Sequence, residues 1–223
     1  MSTPNPCQAR DVHNAIQPQT VKGPGMIRLT RRDILAGLTV TLLARPAQAA
    51  LRPYVLVPKR TSVSFTFDLS GVPQSGTMPI RSADIGIDMS NLADSKVDVL
   101  LDVAKARTKL PFARGPMLSA SVLNADVFPT IRFTSTRIRL GASGRISDGA
   151  QITGDLTLRG VTRPISLQAE LYRQRGTSAR DLNALSIRLR GVLNRHEFGA
   201  SGYSDLVQPT VGLDIHAEIE STG

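Results

Sequence analysis

Histidine–carboxylate neighbours are the residues most able to do chemistry, and this chain has two such groups. His196-Glu197 supplies half of the His-Glu-x-x-His zinc-protease pattern, in which two histidines one helical turn apart hold the metal and the glutamate acts as base. Position 200 is Ala, so the second ligand is missing. Asp214, His216 and Glu218 alternate along one stretch and would share a face of an extended strand, from which three side chains could converge on a cation. Their alternates, Leu213, Ile215, Ala217 and Ile219, are apolar, which puts the polar set on the wet side of that strand. Gly199-Ala200-Ser201-Gly202 lacks the spacing of a Gly-x-Ser-x-Gly nucleophile elbow. The third histidine, His13, and the only cysteine, Cys7, fall in a stretch expected to be removed. No nucleophile is placed beside a base, and neither a catalytic residue nor a metal site is assigned.

What remains is an apolar set, and its spacing requires strands. From Asp148 to Tyr172, Ile152, Leu156 and Leu158 alternate with Thr153, Asp155 and Thr157, and Ile165, Leu167, Ala169 and Leu171 alternate with Ser166, Gln168 and Glu170. Period-two alternation marks strands with one buried and one wet face. Gly160 to Pro164 is expected as the turn of a hairpin, with Gly160 free to take positive φ and Pro164 opening the second strand. The same alternation recurs at Ser62 to Leu69, Asp84 to Met89, Lys96 to Val103, Thr130 to Leu140, Leu185 to Arg190 and Val211 to Glu220. In the fourth of the eight strands, Arg137 to Leu140 break the parity, which a bulge would restore. Leu51 to Lys59 reads as an edge segment or lead-in, and Gly71 to Gly76 as a turn or bulge. Between Lys105 and Phe128 alternation stops; Pro116 to Leu123 can hold a short helix, and an insertion of this length is where a lid would lie.

Eight patterned strands without a long helix predict an all-β chain, either a sandwich or a closed antiparallel barrel, and closure removes the exposed edges. Eight strands also give an interior that side chains just fill or that holds one small ligand. The expected inward parity collects Phe65, Phe67, Leu101, Ile131, Phe133, Leu156, Leu158, Leu167, Leu189 and Ile215 as candidate ligand-binding residues. Such a lining would suit a long apolar chain, which gains about 0.8 kcal/mol for each CH2 buried.

The 223 residues suit one domain with appendages. The net charge is +9, but six of the 27 basic and two of the 18 acidic residues precede Ala50, leaving 21 basic against 16 acidic in the remainder. These cations are scattered and there is no Trp, so a nucleic-acid partner is not expected. Residues 1–25 are rich in Pro, Gln and Asn and have no apolar period, as in a disordered extension or a mis-set start ahead of Met26. Residues 26–49 have a basic start, an apolar run from Ile34 to Ala44 and a small-residue site at Ala47-Gln48-Ala49. The run is too short to span a bilayer and is expected to be an export signal. Arg31-Arg32 resembles the twin-arginine motif, which predicts periplasmic export and a mature domain from about residue 50 to 223.

Three segments in order, Phe128-Pro129-Thr130-Ile131-Arg132-Phe133-Thr134-Ser135-Thr136, Ile152-Thr153-Gly154-Asp155-Leu156-Thr157-Leu158-Arg159-Gly160-Val161-Thr162 and Asn194-Arg195-His196-Glu197-Phe198-Gly199, resemble the YceI-like family of exported, lipocalin-like proteins that bind polyisoprenoid lipids. The resemblance covers about Tyr54 to Glu220. It implies an eight-stranded antiparallel lipocalin-like barrel with an apolar interior and a short helical insertion. The ligand implied is an isoprenoid lipid or isoprenoid quinone, with no cofactor and no catalysis. Lys59-Arg60 and Ser121 to Asn124 depart from the family's usual acidic, His-bearing and aromatic stretches. A different role remains open, an interaction module whose loops, Lys105 to Phe128 and Arg173 to Asn183, bind a membrane or cytochrome partner. An enzyme would need a polar cluster inside the barrel. The sequence leaves the oligomeric state open.

Overall fold

A computed structural model of the chain describes residues 51–142, 149–173 and 182–222. The extension 1–25, the export-signal stretch 26–49 and most of the Arg173 to Asn183 loop therefore lie outside the described residues. Eleven strand segments follow in order: β1 (Arg52–Leu56), β2 (Ser62–Leu69), β3 (Val72–Thr77), β4 (Ile80–Ile87), β5 (Lys96–Asp102), β6 (Arg107–Thr108), β7 (Thr130–Leu140), β8 (Ala150–Leu158), β9 (Val161–Arg173), β10 (Ala184–Asn194) and β11 (Val207–Ser221). The one α-helix among the described residues, α1 (Arg114–Leu118), is a single turn in the insertion.

The eleven segments make eight staves. β1 and β2 form one stave interrupted by a 3-10 turn at Pro58–Arg60. β3 and β4 form the next, since β3 pairs with β2 while β4 pairs with β1. β6 continues β5, because β5 pairs with β4 and β6 with β3. Every later pair is antiparallel between sequence neighbours, and β11 closes the ring by pairing with β2 along its first part and with β1 at its end. The result is an all-β, closed, eight-stranded up-and-down barrel, which leaves no stave without partners on both sides.

Three sequence expectations need correcting. Leu51 to Lys59 is not a lead-in at an edge: Tyr54 faces Ile85 on one side and Ser221 on the other and helps to close the barrel. Gly71 to Gly76 is not a turn but largely β3. β6 meets β3 only at Gly76 and Thr77, so Pro73 sits where the ladder is one-sided and a strand tolerates proline. The β8–β9 turn is shorter than expected: Leu158 pairs with Val161, and only Arg159 (φ 52) and Gly160 (φ 74) lie between. Two consecutive positive φ values give the tight turn whose twist matches antiparallel strands, so Pro164 lies within β9, opposite Asp155. The parity break in β7 is a bulge, with register shifting between Ser135 and Arg137 and Ile138 returned to the interior.

The outer face is wet and paired. Arg132 grips Asp98 across β5 and β7 at 2.7 Å, and Arg188 grips Asp214 across β10 and β11 at 2.8 Å. Both carboxyls are held below the usual carboxylate range, chiefly by the guanidinium hydrogen bonds. Such exposed pairs are worth at most about 1 kcal/mol each, so stability rests on the interior. One end is packed shut by Tyr54, Ile85, Ile87, Leu185 and Ile219. There the Tyr54 hydroxyl donates to the Leu182 carbonyl at 2.7 Å, and burial raises its pKa. Beside it, Asp88 ties the β4–β5 loop by accepting from the Ser90 and Asn91 backbone N–H groups.

Candidate functional site: an apolar barrel cavity

Because side chains alternate across a strand, fixing one inward residue fixes its whole stave. The inward faces of the staves enclose a cavity of about 470 Å³. All ten candidates lie on its wall: Phe65, Phe67, Leu101, Ile131, Phe133, Leu156, Leu158, Leu167, Leu189 and Ile215. Four of these, Ile131, Leu156, Leu158 and Leu167, are buried; the other six are only half-buried although they point inward. Half-exposure of inward side chains is the mark of a real void, since a filled barrel interior packs at crystal-like density and leaves its lining covered. The volume falls within the 300–1,000 Å³ range of small-molecule pockets.

The void depends on glycines that the sequence pattern does not flag. Gly76, Gly154 and Gly191 lie beneath large side chains of neighbouring staves: a Cβ on Gly76 would meet the Phe65 ring at 2.3 Å, one on Gly154 the Phe133 ring at 2.4 Å, and one on Gly191 the Leu167 Cδ2 at 2.5 Å. With no Cβ below them, these side chains lie flat against the wall instead of standing into the lumen. Phe65 and Phe67 continue the same surface, with ring centroids 6.2 Å apart. Gly154→Val is therefore expected to lever the Phe133 ring inward and press on the Thr134 carbonyl, shrinking the cavity at an overpacking cost of about 3 kcal/mol or more. Thermal melting and uptake of a fluorescent apolar probe would measure the two effects, and unchanged uptake would show that the ring has another place to go.

The insertion is the lid expected from sequence. Ala113, Pro116, Met117, Val122 and Leu123 line the cavity at the end opposite the Tyr54 plug, next to Leu206 and Tyr203 of the β10–β11 loop. Lid and loop are tied together by the Gly202 N–H, which donates to the Ser121 carbonyl, and the β8–β9 turn holds the lid from another side, with Arg159 donating to the Ala120 and Val122 carbonyls. Beneath them Val103, Ala106, Phe198 and Ala200 are almost fully buried.

Among the described residues that line the cavity, Arg195 alone carries a charge. It is 5% exposed, and its guanidinium donates to four backbone carbonyls, those of Ala200, Gly202, Val207 and Gln208. Burial lowers its pKa, but an arginine stays protonated through any such shift. These bonds make it the post around which the β10–β11 loop is folded. The Asn194-Arg195 pair was visible as part of a motif, but nothing in the sequence said that the arginine turns inward.

The candidate chemistry on the outside takes no part in this cavity. His196 and Glu197 are exposed on a 3-10 turn, Asp214 is bonded to Arg188, and His216 lies 3.3 Å from Glu218. Among the described residues no three His, Cys, Asp or Glu side chains group as metal ligands.

Residues 54–219 match the YceI-like domain family, about three quarters of the chain. The chain belongs to the YceI-like family. A UPF0312 protein of Vibrio vulnificus is 31% identical over 143 residues, which span 63% of this chain and 74% of that protein. Protein YceI of Escherichia coli is 31% identical over 144 residues, 63% of this chain and 73% of the relative. Two solved structures share the fold at low identity. BcnA of Burkholderia cenocepacia superposes with a TM-score of 0.64 at 16% identity, covering 74% of this chain and 99% of BcnA. A domain of Saccharophagus degradans described as polyisoprenoid-binding gives 0.55 at 14%, covering 76% of this chain and 99% of the domain. The YceI-like barrel is thus shared.

Proposed function

We propose that this protein is a non-catalytic lipid carrier that holds a polyisoprenoid or isoprenoid quinone in the barrel cavity, with no cofactor. One observation carries the proposal: ten side chains from seven staves converge on an apolar void whose wall, among the described residues, holds one charge, already spent on backbone carbonyls. A long unsaturated chain suits such a wall, because every methylene leaves water and no polar group needs a partner there. The ten lining residues are its ligand contacts, and the ligand's polar head sits at the lid end, where the wall opens. The Saccharophagus degradans domain, described as polyisoprenoid-binding, supports the same class of ligand. The signal-like stretch at 26–49 supports export and a periplasmic site of action.

The interaction-module alternative places the work in the loops, with a membrane or cytochrome partner. The described loop from Lys105 to Phe128 turns much of its apolar surface into the cavity, which favours the carrier. Native mass spectrometry and solvent extraction of the purified protein test it. A bound apolar ligand, released on denaturation and bearing isoprene repeats, is the expected result. A ligand-free barrel that also fails to take up added isoprenoid quinone would overturn the carrier.

A further inference from the structure

The cavity wall runs out to residues that are also surface. Phe112 is 72% exposed, Leu206 52% and Tyr203 47%, and all three line the cavity. The turn between β2 and β3 adjoins them, since the Ser70 N–H donates to the Leu206 carbonyl, and it adds Val72 at 56%. An apolar rim around an apolar mouth costs free energy in water unless something covers it.

The charge beside the rim identifies that cover. From Val103 to Ala125 there is no Asp or Glu, whereas Lys105, Arg107, Lys109 and Arg114 all fall within ten residues of one another. All four are exposed. Lys105 is paired with Asp102, and Arg114 donates only to the Ala104 and Ala106 carbonyls, which leaves its charge uncompensated. Arg107 and Lys109 form no ion pair among the described residues; both line an outer groove whose one carboxylate, Asp214, is held by Arg188. An exposed aromatic flanked by cations on long aliphatic stems is the composition that settles at the headgroup boundary of an anionic bilayer.

We infer that the lid end docks onto an anionic lipid bilayer, with Phe112 inserted as the anchor and the 105–114 cations on the lipid phosphates. Docked this way, the mouth would give a lipid tail an apolar path from the acyl region into the barrel without crossing water. The inference rests on the cavity being a lipid site only for its purpose; the docking itself can be measured separately.

The chain has no Trp, so one substitution supplies a reporter confined to the rim. Phe112→Trp, in protein as purified from expressing cells, is mixed with phosphatidylglycerol/phosphatidylcholine vesicles, with and without brominated acyl chains. Tyr172→Trp, 54% exposed on the outer wall near the plugged end, is the control. Blue-shifted emission and bromine quenching are expected at position 112 and not at 172, and both should fade with salt as the lipid charge is screened. Each cation near an anionic surface is worth about fivefold in partitioning, so replacing Arg107 and Lys109 by Ser should weaken binding about 25-fold at low salt. Equal quenching at both positions, or none at either, would overturn the docking face, and the second outcome would leave the rim to a protein partner. The Arg107→Ser/Lys109→Ser protein, whose changes lie outside the cavity wall, separates the two proposals: it should take up isoprenoid quinone added in detergent as the unchanged protein does, but lose uptake from vesicles. A lipid-free protein that still quenches at 112 alone would sink the carrier and keep the docking face.

Discussion

Leu158→Asp will unfold the barrel, whereas Phe133→Asp will leave it folded and empty. Both positions line the cavity, yet their surroundings differ. Leu158 is 7% exposed and packed in the cluster that includes Val103, Ile131 and Phe198. A carboxylate there has no donor to meet, so it must stay protonated, and holding a carboxyl of ordinary pKa about 3.9 protonated at pH 7 costs about 4 kcal/mol. Loss of the leucine's packing adds about 2–5 kcal/mol. Together these match the whole stability of an ordinary domain, about 5–15 kcal/mol. Phe133 is only half-buried because its ring faces the void. A carboxylate in its place can be hydrated by water entering the emptied cavity, but a tail cannot share that space. Circular dichroism and lipid extraction on the two variants check this, and a folded Leu158→Asp protein or a lipid-loaded Phe133→Asp protein would show that the packed and open parts of the interior are wrongly divided.

The second large effect is at Arg195. Arg195→Met keeps much of the volume and removes the donors, stranding the carbonyls of Ala200, Gly202, Val207 and Gln208. An acceptor that water cannot reach costs about 1–3 kcal/mol when orphaned, and water can reach part of this loop. The sum expected is therefore about 3–5 kcal/mol. Arg195→Lys retains the charge but presents one ammonium where a planar guanidinium served four acceptors, so it should recover less than half of the loss. Denaturant titration would give the three stabilities. Full rescue by Lys would mean that the buried charge matters and the geometry of its bonds does not.

Much of this was legible from period-two spacing. Val97, Val99, Leu101 and Val103 could only face one side of a strand, and strict alternation also carried Phe65, Phe67, Ile215 and their fellows onto one wall. Alternation shows which face is apolar but not how far the opposite wall stands, so the void itself could not be read. That distance is set by Gly76, Gly154 and Gly191, each of which has meaning only once a neighbouring stave is registered against it. β3 escaped notice for a related reason: Pro73 and Gly76 are turn residues by local preference, and only pairing with β2 makes them strand. Arg195 was read as part of a motif and turned out to be a scaffold, because its acceptors are backbone carbonyls that no side-chain pattern announces.

The way the ring is closed has a consequence for how the protein is made. β11 leaves the ribosome after all the other described strands, yet it is the seam that joins β10 to both β1 and β2. Until it emerges, the nascent chain is a curved open sheet with two unpaired edges and its apolar lining uncovered, the state in which strand-rich chains add to one another most readily. Closure must then bring together residues as distant as Tyr54 and Ser221, a loop whose entropy places this protein among the slow folders. The barrel's most vulnerable moment thus falls between the synthesis of β10 and the seating of β11.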